Sequence, residues 1–90
     1  MSVHGEFGRA LQGVIAAVEM LPPEESRPHR GPLEKARLAN QPNLEAAAET
    51  ALNALERLSA SGLRGGHLTQ VVRHLDAHCR VILGLPGEEG

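Results

Sequence analysis

Histidine is the side chain here best suited to chemistry near neutral pH, and three of the five histidines fall within twelve positions of each other. His67, His74 and His78 share one flank of a helix predicted over about residues 67–83, together with Val71 and Val81. His74 and His78 are four apart, a spacing that can bring two imidazoles to a single metal ion. The chemistry would be Zn²⁺ or Ni²⁺ binding, in a metal-binding or metal-sensing module. His67 lies seven residues before His74, about 10 Å along the axis, too far for the same ion. Cys79 points about 100° away from His78, toward the expected apolar face. A free cysteine there is ordinarily a small buried residue. The pair would need ligands from elsewhere, such as the same pair in a second subunit. The ordinary reading of this flank is a solvated or rim-packed surface without metal, and no other cofactor is called for.

The segment Arg73 to His78 offers a second possibility. It is similar to the Arg-x4-6-His element of HEPN ribonucleases, which are also helical bundles. The resemblance covers six residues and implies that Arg73 and His78 act together on RNA at a dimer interface. The turn Arg64-Gly65-Gly66 also closes a helical hairpin that resembles the small co-chaperones of bacterial type III secretion in turn composition and hairpin length. That resemblance implies a chaperone-like role, in which a partner helix is held against the hairpin. Other catalytic signatures are missing. Gly65-Gly66 has no preceding strand and no Lys-Ser/Thr pair, so it is not a phosphate loop. No Ser/His/Asp or Cys/His arrangement emerges from the spacings, and the glutamates fall on solvent faces. The reading is therefore non-enzymatic.

The elements that must position these residues are helices. Phe7, Leu11, Val14, Val18 and Leu21 recur with steps of 4, 3, 4 and 3, which predicts a helix over about residues 5–21. Leu44, Ala48, Ala51, Leu55 and Leu58 repeat the rhythm over 44–60, and Leu68, Val72, Leu75, Cys79 and Ile82 repeat it over 67–83. Asn43 or Asn40 can cap the second of these, and Gly62 and Gly84 are placed to end the last two. Residues 22–32 contain four prolines and four charged residues, which predicts an extended, mobile loop. A short helix over 33–39 then starts with Pro32 at its first position. The tail over 85–90 is expected to fray. No segment alternates with the period of a strand. The expected fold is all-α: one domain over residues 1–90, a small antiparallel three- or four-helix bundle open to completion by dimerisation.

Composition narrows the function further. The chain has one Phe and no Trp or Tyr, and its net charge is −2. It lacks both the clustered basic surface that holds a nucleic acid backbone and the aromatic platforms that stack bases, so nucleic acid is disfavoured as a partner. The longest apolar stretch, Gly13 to Val18, is far short of the roughly 20 residues of a membrane span. No secretory signal pattern opens the chain and its one cysteine cannot pair internally, so a cytoplasmic location is expected. Helix 5–21 is apolar around most of its circumference, which predicts an association surface through Phe7, Leu11, Val14, Ile15 and Val18. The expected function is a protein-protein interaction domain, a small adaptor or a dimerisation module. Its partner would be another protein or a second copy of itself, with no membrane involved.

Overall fold

The computed structural model describes residues 2–63 and 65–86. Four helices follow in order: α1 (Val3–Glu19), α2 (Pro23–Ala39), α3 (Leu44–Ala60) and α4 (Gly66–Leu83). Local chemistry fixes their ends. The Ser2 hydroxyl accepts the Gly5 N–H at 3.0 Å, and the Asn43 side-chain oxygen accepts the Ala46 N–H at 3.1 Å. Both satisfy donors that a helix start leaves open. After α3, Gly62 takes φ +81°; after α4, Gly84 takes φ +70°. Around Gly84 the Leu85 N–H bonds the Arg80 carbonyl at 2.8 Å and the Gly84 N–H bonds the Val81 carbonyl at 3.2 Å. This is the Schellman pairing that a left-handed glycine permits. Of the tail expected to fray, residues 87–90 lie outside the described residues, as does Arg64 of the turn before α4.

The segment over 22–32 is not a loop. It forms the first part of a 17-residue helix that continues through the expected 33–39 piece, with Pro28 and Pro32 inside it. Pro23 sits in the first turn, where a missing N–H costs nothing. Pro28 and Pro32 each remove one internal hydrogen bond, from the carbonyls of Glu24 and Pro28. Both of those residues are solvent-exposed, so water can take up the carbonyls. Tertiary packing outweighs the remaining cost. Ser26, His29, Leu33 and Ala36 are all buried, with steps of 3, 4 and 3 along one face.

Helices α1 and α3 each pack against both α2 and α4. With connections of a few residues this is an up-down-up-down ring. The Asn40 amide, just past α2, donates to the His4 carbonyl in the first turn of α1 at 3.1 Å, tying antiparallel ends together. Phe7, Leu11, Val14 and Val18 of α1, Leu33 of α2, and Leu75 and Cys79 of α4 are almost wholly buried, and Ala47, Ala48, Ala51, Leu55 and Leu58 join them from α3. The interface between α2 and α3 is the most extensive of the four. Small alanine side chains on α3 let a helix approach closely, which compensates for the shortage of aromatic volume. Four helices of one chain surround this core, so no second copy is needed to close it. None of the helices is long and apolar enough to cross a membrane, among the described residues.

Candidate functional site

The five residues of α1 expected to meet a partner all point inward. Phe7, Leu11, Val14 and Val18 are fully buried and Ile15 is 7% exposed. They are core rather than surface, because α1 has a neighbour on each side and needs an apolar arc wide enough for both. The outer side of α1 carries Arg9, Gln12, Ala16 and Met20, all exposed.

Helix α4 has two unlike flanks. On the flank toward α1, Val71 packs at Gly13: a Cβ at that glycine would lie 3.6 Å from the Val71 Cγ1. His67 and His74 are exposed and His78 is half-buried. The rings of His74 and His78 meet edge to face, with centroids 4.8 Å apart and planes at 81°. Cys79 does not join them. It is completely buried, and burial, helped by the nearby Asp76 carboxylate, pushes its thiol up to about 12. A thiol so firmly protonated is neither a nucleophile nor a ready metal ligand at neutral pH. Among the described residues, no group of three His, Cys, Asp or Glu is placed to hold a metal ion.

The flank toward α3 opens into a groove of about 480 Å³. Leu63 of the turn and Val72 of α4, both half-buried, line it with apolar surface above the buried Leu55 and Leu58 of α3 and Leu68 of α4, and Glu56, Arg73, Asp76 and Arg80 add charge. The Asp76 carboxylate accepts from the Arg80 Nε at 2.9 Å, and the Arg80 Nη1 donates to the Pro86 carbonyl at 3.4 Å. This groove was not read from the sequence. Its signal was Leu63, an isolated apolar residue in a glycine-rich turn, lying in sequence between the Leu58 and Leu68 stripes. Arg73 and His78, the pair implied by the ribonuclease resemblance, belong to different flanks. Five residues on a helix separate them by about 140°, and only Arg73 lines the groove. They do not converge within one chain.

The buried histidine is a fifth one, His29 of α2, only 6% exposed. Burial holds its imidazole below the ordinary histidine value, which favours the neutral form. A smaller, charged recess between α1 and α2 is lined by Ile15, Glu19, Arg27, Arg30, Gly31 and Glu34. Arg30 and Glu19 face each other there at 3.8 Å with both side chains well exposed, so the pair adds little. Compared with known proteins, the chain matches no family model, no curated protein and no solved structure.

Proposed function

We propose that the chain is a non-enzymatic interaction module that receives an amphipathic helix of another protein in the groove between α3 and α4. The observation that carries the reading is the groove itself: half-buried Leu63 and Val72 stand over the buried Leu55, Leu58 and Leu68 as its floor, and charged residues edge it. Helix-in-groove recognition uses this combination, with apolar anchors for affinity and rim charges for orientation. Two rim charges fit a partner of mixed sign. Arg73 on α4 would meet an acidic residue beside the partner's apolar stripe, and Glu56 on α3 would meet a basic one on its other side. The Asp76 carboxylate is engaged by Arg80 and orients that guanidinium rather than the guest.

A photo-crosslinking side chain at Thr69, on the groove, tests this in cells that make the protein, with Lys35 on the exposed side of α2 as the control position. The reading requires a discrete adduct from Thr69 alone. It also requires that the captured protein, once purified, bind the wild-type chain and lose at least about tenfold in affinity to Arg73→Glu. No adduct specific to Thr69, or affinity unchanged by Arg73→Glu, would refute it. An adduct of twice the chain's own mass would assign the groove to a second copy and overturn the choice of partner.

A further inference from the structure

The opposite flank of α4 carries a separate capability. The geometry points to His74 and His78 as a two-imidazole chelate for one borderline divalent cation of the Ni²⁺ or Zn²⁺ type, independent of the groove. Four observations bear on it. The residues are one helical turn apart, so the helix holds their Cβ atoms in register. Their ring centroids stand 4.8 Å apart. A cation held by two imidazole nitrogens at about 2.0–2.1 Å, with about 90–110° between them, sets the ring centres roughly 4.5–5.2 Å apart. The observed spacing falls inside that window, so the chelate forms by rotating the rings and leaves the backbone in place. Solvent reaches the rings, since His74 is exposed and His78 half-buried. The rest of this strip of α4 is His67, Gln70, Val71, Ala77 and Val81, with no lysine or arginine of its own to oppose a cation.

Imidazole suits Ni²⁺, Cu²⁺ and Zn²⁺ and excludes Mg²⁺ and Ca²⁺, which prefer oxygen. With no third protein ligand assembled among the described residues, the remaining coordination positions belong to water. The site is therefore a chelating pair of moderate affinity, unlike a closed structural centre.

The test is calorimetric titration of the full chain with NiCl₂, in a background of His4→Ala and His67→Ala that leaves the pair and the buried His29 as the only histidines. One ion should bind per chain, and His74→Ala or His78→Ala should each weaken binding by about tenfold or more while the helical circular dichroism stays unchanged. A variant with both His78→Ala and Val81→His keeps the histidine count but sets the two imidazoles seven residues, about 10 Å, apart along the axis, and it should not recover the affinity. No saturable binding up to about 1 mM, a loss smaller than tenfold in either single variant, or recovery in the shifted variant would each overturn the assignment.

Discussion

The two flanks of α4 belong to one helix and fold under the same rules, yet one meets its neighbour at a glycine and the other lines a groove. Toward α1, Val71 lies against a glycine, where an added Cβ would stand 3.6 Å from the Val71 Cγ1. Toward α3, Leu68 and Val72 line a groove together with Leu55, Leu58 and Leu63. The two seams differ in the side chains that meet there: a glycine of α1 faces Val71, whereas leucines of both α3 and α4 line the other side. In a bundle with almost no aromatic residues, Leu63 and Val72 are the half-buried apolar side chains of this groove that the proposed guest would cover.

The largest effect should come from the residue on the crest that both flanks share. Leu75 is completely buried. Leu75→Ala should lower the unfolding free energy by about 2–5 kcal/mol, and Val72→Ala, on the half-buried groove side, by about 1 kcal/mol or less. Urea denaturation checks both, and equal losses would erase the distinction between the flanks. Next in size is Gly13→Ala. The new methyl would make ordinary contact with Val71, and alanine is favoured over glycine within a helix by about 1 kcal/mol. The melting temperature should therefore rise by about 4–8 °C, as expected for a domain of this size. A fall would show that the α1/α4 seam is tighter than described.

The same contrast between what a sequence displays and what packing decides runs through the whole chain. Helices α1, α3 and α4 were legible because Leu, Val and Ala recur at helical steps, and the glycines that end α3 and α4 were legible because only a left-handed residue fits there. Helix α2 was hidden by its own inward face. Ser26 and His29 occupy two of its four buried positions, and two prolines interrupt it, so the 3-4-3 spacing did not register as apolar. The apolar excess of α1 was visible, but its destination was not. A stripe does not reveal whether a neighbour from the same chain covers it. The histidine pair could be placed on one flank from spacing alone, whereas the groove depends on how far apart two helices settle, which no single segment encodes.

Helix α2 also sets the pH response. Because burial depresses the His29 value in the folded state from the ordinary 6.5, the unfolded chain takes up the proton more readily. Stability is therefore greatest with the imidazole neutral and is lost as pH falls through about 6.5 toward the depressed folded value. Between about pH 7.5 and 5.5 the wild type should lose more stability than His29→Leu, measured by denaturation at each pH. Parallel losses would contradict a buried neutral imidazole. The smallest effect should be at the exposed Glu34–Arg37 pair, one turn apart on the outside of α2. Glu34→Gln should leave the melting temperature unchanged within error. A clear drop would mean that this surface pair supports the proline-bearing helix.

The sharpest contrast in the molecule sets the interior apolar face of α1 against the half-buried Val72 on the α3/α4 groove. Thiol labelling tests it directly, because Cys79 is buried, firmly protonated and so silent in the native chain. Val72→Cys should add one thiol that reacts promptly with a maleimide at pH 7, whereas Val14→Cys should stay protected until the protein is unfolded. Equal rates at the two positions, or faster labelling at Val14→Cys, would contradict it.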